Sequence, residues 1–372
     1  MLEIKEVSSK KDIDRFVNFQ FELYKNHPYW VPPIKSDEKK ALLPSTNPAF
    51  EFCDAKFWLA FREGKEVGRI GAIINHKYNE KIGKKMGRFS RMEFIDDKEV
   101  SKALFNTAEK WLKDEGMTGI HGPLGFTNFD NQGLLIEGFD YLPSIASVTH
   151  FPYYRKHIEA LGYNKEIDWV EFRLKMGDSI PEKATRLAKI IKERNNLEIL
   201  KFKSKSELRI VLRDVFGLLN EAFDELPYVA PFPQKLIDYY ADRYFKVLNP
   251  EYVVVIRKAE KVVAFIVGIP SLSEAMQKAK GKLFPFGFVH ILKAMKNPEV
   301  MDLLLTGVDP EYQKLGLPAI LINELQSVIM KHHIKKYRFF RKLTLVNFYY
   351  FFYFLYARNC WPKPYISKIF IY

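Results

Sequence analysis

LLLTGVDPEYQKLGLPAILINEL, residues 303–325, holds a strand, a turn and a helix start within 23 residues. An apolar strand runs to Val308-Asp309-Pro310, where proline breaks the extended pattern. A short loop then presents Gln313-Lys314-Leu315-Gly316-Leu317, and an amphipathic helix begins near Pro318. Proline suits the first turn of a helix, from which several unpaired N–H groups point outward. Those donors and the helix dipole both favour a phosphate, and Gly316 lets backbone approach a ligand with no side chain in the way. The stretch therefore predicts a pyrophosphate cradle between a strand end and a helix start.

Working outward, YVVVIRKAEKVVAFIVGI (252–269) lies over residues 57–74 at a constant offset of 195, with Arg62/Arg257, Val67/Val262 and Ile74/Ile269 identical. Each segment reads as a β-hairpin, the first turning at Glu63-Gly64-Lys65. A strand and a long helix follow in both copies, at 86–116 and 301–332, with a partly helical insertion near 270–300 in the second. The first of these helices can be capped by Asp96 or Asp97, carries its apolar stripe on Val100, Leu104, Ala108, Trp111 and Leu112, and stops at Gly116. A strand at 117–120, a turn-rich loop at 122–140, a helix at 152–163 and a strand at 167–176 complete the first copy. In that loop Asn128, Asp130, Asn131 and Gln132 are candidates to line a cleft, or belong to an inert turn. A helix at 13–24 precedes a proline-punctuated stretch; a strand at 197–202 and helices at 207–223 and 234–247 precede the second hairpin. The pattern is that of a tandem duplication in the α/β (α+β) class, with a linker near 177–181.

These features resemble the GNAT superfamily of acyl-CoA-dependent N-acyltransferases, in its bacterial tandem-domain form. The superfamily writes its phosphate loop (Gln/Arg)-x-x-Gly-x-(Gly/Ala) after a strand that often ends Val-x-Pro. Here Val308-x-Pro310 is followed by Gln313-x-x-Gly316-x-Pro318-Ala319, with proline in place of the small residue. The resemblance implies two domains, at 1–178 and 179–336, each a mixed, mostly antiparallel sheet flanked by helices. It implies acetyl-CoA or a longer acyl-CoA as co-substrate, held by Val308, Gln313, Lys314, Leu315, Gly316, Leu317, Pro318 and Ala319. Its acceptor would be the amine of a small molecule or peptide. By the same resemblance Glu93 occupies the region of a general base. Tyr154, or its neighbour Tyr153, in PYYRKHIEALGY falls where an aromatic hydroxyl can act as acid. The first copy lacks the phosphate loop and has Asp96-Asp97-Lys98-Glu99-Val100-Ser101 there. A non-catalytic CoA-binding or interaction scaffold, a decayed duplication, is the alternative.

Composition bounds the rest. The net charge of +13 is concentrated at the end of the chain: residues 331–372 hold nine Lys/Arg and no Asp or Glu, leaving +4 for residues 1–330. A specific nucleic-acid surface is therefore not expected. Residues 337–372 form an atypical basic-aromatic tail, and no glycine lies beyond residue 330. A reading frame lost near residues 336–341, or contact of the tail with a membrane surface, would account for it. Two cysteines, with no Cys-x-x-Cys and no His-Glu-x-x-His, predict no metal site. There is no Walker loop, Rossmann fingerprint or Gly-x-Ser-x-Gly. The start, MLEIKEVSSKKDIDRF, lacks the apolar core of a signal peptide, which predicts a cytoplasmic protein.

Overall fold

A computed structural model describes residues 1–175, 179–245, 247–341 and 365–372. In chain order the elements are β1 (Leu2–Glu6), α1 (Lys10–Leu23), α2 (Lys35–Ala41), β2 (Cys53–Arg62), β3 (Lys65–Asn75), α3 (His76–Ile82), β4 (Met86–Phe94) and α4 (Lys98–Asp114). Next come β5 (Gly119–His121), β6 (Leu134–Glu137), α5 (Tyr153–Ala160), β7 (Ile167–Lys175), α6 (Glu182–Arg194), β8 (Glu198–Leu200), α7 (Lys205–Phe223) and α8 (Gln234–Phe245). The last are β9 (Val253–Lys258), β10 (Lys261–Pro270), α9 (Ser273–Ala279), α10 (Gly287–Lys296), β11 (Val300–Val308), α11 (Leu317–Lys331), β12 (Lys336–Arg341) and β13 (Tyr365–Ile371).

The chain forms two compact units: Met1–Trp169 with Leu272–Lys293 and Ser367–Tyr372, and Val170–Ser271 with Ala294–Ile366. They do not divide at one point near 178. The reason is pairing. Most of β7 belongs to the second unit, because it runs antiparallel to β12 from Val170↔Arg341 to Lys175↔Lys336. The end of β13 belongs to the first unit, pairing with β6 at Ile369↔Leu135 and joining Tyr372 to Gly122 through two backbone hydrogen bonds.

The same plan is built twice, once in each unit. The first sheet runs β1-β2-β3-β4-β5, antiparallel except that β4 and β5 are parallel. In the second unit the run β8-β9-β10-β11-β12 repeats it, again with only the last pair parallel. Each long helix, α4 or α11, crosses between the two parallel strands and buries an apolar face on its own sheet. Val100, Leu104, Ala108 and Leu112 of α4 lie in a core with Ile70, Ile74 and Phe89. Ile320, Leu321, Leu325 and Ile329 of α11 lie in one with Val254, Ile266, Met301 and Leu303.

Both inner strands carry a bulge just after pairing with their parallel partner ends. On β11, Val267 faces Leu305 and Gly268 faces Leu303, so Leu304 is the extra residue. On β4 the shift falls between Arg69↔Glu93 and Gly71↔Ser90, and Arg91 takes a φ of +44. Pairing with the outer strand stops before each bulge, at Arg88↔His121 and at Leu303↔Phe339. The sheet therefore forks at the C-terminal end of the inner strand, next to the start of the long helix.

Strand β12 takes in the expected point of frame loss. Residues 336–339 pair on both sides and 340–341 with β7, and Tyr337 is buried in the core of the second unit. The remainder of the predicted tail, apart from residues 365–372, lies outside the described residues, and so do most of the residues proposed for membrane contact. No helix among the described residues is long and apolar enough to cross a membrane.

Candidate functional site

In the second unit β11 ends at Val308, whose side chain is buried, and Asp309 turns the chain. Asp309 donates its N–H to the Val263 carbonyl (2.9 Å), and its Oδ1 accepts from the Glu311 N–H (2.9 Å). Lys261 Nζ lies 2.7 Å from its Oδ2, and this hydrogen-bonded pairing raises the Lys261 pKa. Two turns of 3-10 helix, Pro310–Leu315, then expose Gln313, Lys314 and Leu315. Gly316 adopts φ +77, ψ 21, the left-handed region that glycine enters without a Cβ penalty. It is also the N-cap of α11, where no side chain caps the helix. Pro318 has no N–H, and Ala319 turns its own back to the Gly316 carbonyl (3.0 Å). Among the described residues the Gly316 and Leu317 N–H groups have no main-chain partner beyond the 3-10 turn itself, and the Leu317 and Ala319 side chains are buried in the core. The predicted loop residues are thus together. Leu317, Pro318 and Ala319 shape the turn, and the exposed Gln313 and Lys314 add a polar, basic rim.

The corresponding place in the first unit is filled by the chain's own groups. The N terminus of α4 is capped by Asp97, whose Oδ1 accepts from the N–H groups of Glu99 (2.8 Å) and Val100 (3.2 Å). Arg62 holds the other Asp97 oxygen at 2.5 Å and Glu99 at 2.6 Å. The Arg62 hydrogen bond keeps the Asp97 carboxyl below its usual range. A diphosphate would meet two carboxylates here, so the donors of α4 do not fit one. The donors of α11 do.

The fork of the first unit is closed as well. Beyond its bulge, β4 presents Phe94, whose N–H donates to Tyr154 Oη (3.2 Å) and whose carbonyl accepts from Tyr153 Oη (2.5 Å). Tyr154 is fully buried, joined to Tyr24 by a hydroxyl–hydroxyl hydrogen bond of 3.3 Å, and burial pushes its pKa well up. Glu93 is taken by Arg69 at 2.5 Å, and Arg69 also donates to the Phe16 carbonyl (2.8 Å). The two predicted catalytic side chains therefore lie in one cluster, and both are engaged in holding β4, α1 and α5 together.

Close by, Ser101 Oγ lies 2.8 Å from His157 Nδ1 and His157 Nε2 lies 2.7 Å from Asp96. The series looks like a hydrolase triad with its exposures reversed. Ser101 is buried and donates to the Lys98 carbonyl (3.1 Å), whereas the Asp96 side chain is 67% exposed. A nucleophile must be reachable by substrate, so this network is a tie between α4 and α5. In the 122–140 loop, Asp130 accepts from the Thr127 N–H (3.0 Å) and Gln132 donates to the Thr127 carbonyl (2.9 Å). Those polar groups fold the loop on itself.

One feature of the second fork escaped the sequence reading. Asp302, buried at 1% exposure on β11, receives two hydrogen bonds from Arg338 of β12, from Nε (2.6 Å) and from Nη2 (2.9 Å). Arg338 also bonds to Ser271 Oγ, and in register it faces Arg173 on β7. Burial raises the Asp302 pKa, while Arg338, Ser271 and Arg173 pull it back. The signal was a lone carboxylate in the apolar run MDLLL, which requires a cation across the sheet. Among the described residues no group of His, Cys, Asp and Glu is arranged to hold a metal ion.

No family model matches the chain. It is 32% identical over 334 residues to protein YghO of Escherichia coli strain K12, covering 88% of this chain and 84% of that protein. It is 28% identical over 316 residues to the bacterial ceramide synthase of Caulobacter vibrioides, covering 84% and 82%. Among solved structures it matches a tandem GNAT protein from the clavulanic acid biosynthesis pathway, with a TM-score of 0.55, 10% identity, and coverage of 100% and 98%. A probable N-acyltransferase from Enterococcus faecalis V583 matches with a TM-score of 0.51, 9% identity, and coverage of 100% and 72%. At such identities the structural likeness is one of fold.

Proposed function

We propose, for a chain that belongs to the family of Escherichia coli YghO and is built on a tandem GNAT fold, that the second unit transfers an acyl group from acyl-CoA to the amine of a lipid base. The observation that carries this reading is the contrast between the two helix starts. The α11 turn keeps the Gly316 and Leu317 donors beside an exposed Gln313 and Lys314, whereas Asp97 occupies the equivalent donors of α4. The lipid amine is suggested by the ceramide synthase relative, since a ceramide is the amide of a fatty acid with a long-chain base.

Bound acyl-CoA would supply the activated thioester. The chain's own part begins at the α11 turn, where Gly316 and Leu317 offer N–H groups, and Lys314 a positive charge, to the diphosphate. The bulge at Leu304 turns β11 away from β12 and leaves main-chain groups of the strand end free to meet the pantetheine arm and the carbonyl under attack. The neutral amine adds to the thioester carbon, the C–S bond breaks, and the sulfur leaves as CoA thiol with the proton that nitrogen gives up. In this reading the ion-paired Glu93 and the buried Tyr154 are structural.

The test supplies palmitoyl-CoA with sphinganine, and in parallel with an amino sugar or a peptide. Thiol release is followed, and the amide is identified by mass. Amide from the long-chain base supports the proposal. Amide from the other acceptors alone would keep the transferase and remove the lipid. No thiol release with any acceptor would favour the scaffold reading.

A further inference from the structure

The segment Leu272–Lys293 belongs to the first unit and places an unusual surface in solvent. It begins with α9, which is tied down at its base. Ser273 Oγ donates to the Pro143 carbonyl (2.6 Å), and Gln277 Nε2 donates to the carbonyls of Pro28 (2.9 Å) and Trp30 (3.0 Å). The Lys35 N–H bonds to the Gly281 carbonyl (2.9 Å), and a Cβ on Gly281 would stand 2.3 Å from the Phe21 ring. Past this anchor the chain bears large apolar side chains turned outward. Phe284 is 77% exposed, Phe286 72% and Leu292 58%, with Phe288 and Val289 beside them.

Single exposed hydrophobics are ordinary, but five within nine residues form a patch that water disfavours. Its rim is basic. Lys278, Lys280, Lys282 and Lys293 are all exposed, and the one acid of the segment is Glu274. Lys282 stands near enough to Lys35 to add to the burial that lowers the Lys35 pKa.

We propose that this anchored tip docks the protein on an anionic lipid surface, with Phe284, Phe286, Phe288 and Leu292 entering the headgroup layer and the four lysines facing lipid phosphates. Aromatic and aliphatic side chains gain from the boundary between headgroups and acyl chains, and each nearby lysine adds attraction that salt screens. A rigid base supports the tip, so docking orders few groups. The inference does not depend on the acyl-CoA reading, because binding to bare vesicles needs no acyl donor.

The experiment is co-sedimentation of the full chain with phosphatidylcholine vesicles, with and without phosphatidylglycerol, at low and high salt. The wild type is expected to pellet with the anionic vesicles and to be released by salt. Phe284→Ser with Phe286→Ser and Leu292→Ser should weaken binding at least about tenfold, which is about 1.4 kcal/mol. Lys282→Glu with Lys293→Glu should do the same on anionic vesicles. Ile210→Ser, which removes an isolated exposed side chain, should change nothing. All of these positions are in solvent, and circular dichroism should confirm intact folds. Three results would overturn the proposal: a wild type that ignores both vesicles, equal binding by wild type and tip variants, or a wild type that dimerises through the tip while ignoring lipid.

Discussion

Arg338→Met is the most informative single change for the architecture of the second unit. It removes the cation that holds Asp302 and bonds to Ser271; Arg338 is 8% exposed and Asp302 1%. Breaking one side of a buried pair costs about 3–5 kcal/mol. The carboxylate limits its own share by taking a proton. From the ordinary 3.8 of an aspartate, at 1.36 kcal/mol per unit, protonation costs about 4 kcal/mol at pH 7 and under about 2 kcal/mol at pH 5. A carboxyl whose folded pKa is raised contributes most below the unfolded value and loses that contribution as pH climbs through the folded one. The variant's deficit should therefore grow with pH above 3.8, with Arg173 offsetting part of it. Urea unfolding of wild type and variant at pH 5 and pH 7.5, with hydrogen exchange on β11 and β12 peptides, measures it. Replacing both members, Asp302→Leu with Arg338→Met, should recover most of the loss. A deficit below about 1 kcal/mol at pH 7.5, or one independent of pH, would refute the reasoning.

Three further outcomes are expected. Tyr154→Phe loses its hydrogen bonds with Phe94 and Tyr24 and should cost about 1–3 kcal/mol of stability, while acyl transfer stays within a few-fold; a loss of about 100-fold would give the first unit a catalytic part. Gly316→Ala puts a Cβ on a residue at φ +77 and should cost about 1–2 kcal/mol, read from thermal unfolding, with weaker acyl-CoA binding. Burial lowers the His150 pKa to about 3, so its contribution is present above 6.5 and fades as pH falls toward 3; His150→Phe should flatten the acid limb of the stability profile by up to one proton, about 1.4 kcal/mol per pH unit.

The duplication was legible because the hairpins at 57–74 and 252–269 match at one constant offset and a strand and long helix follow each, the first helix with a clear apolar stripe. Other elements were not. The sequence of α6, EKATRLAKIIKER, is dense in charge and buries only Ala184 and Ala188, so its stripe is thin. Strands β1 and β6 have five and four residues, too few for a period to show. At the site, Gly316 and its flanks were readable because a left-handed turn before a helix demands glycine. The closure of the first fork was not, because it depends on Tyr153 and Tyr154 meeting Phe94 some 60 residues away in sequence. Arg338 was discounted with the basic-aromatic tail, and only the sheet register shows that it neutralises Asp302.

The most direct test of the central claim is calorimetric titration of acyl-CoA into wild type, Gly316→Glu and Glu99→Gln, with folding of each confirmed by circular dichroism. Wild type should bind one acyl-CoA per chain, Glu99→Gln should bind as well as wild type, and Gly316→Glu, with bulk and negative charge against the diphosphate, should not bind. Equal binding by wild type and Gly316→Glu, or loss of binding in Glu99→Gln, would contradict a cofactor site at the start of α11.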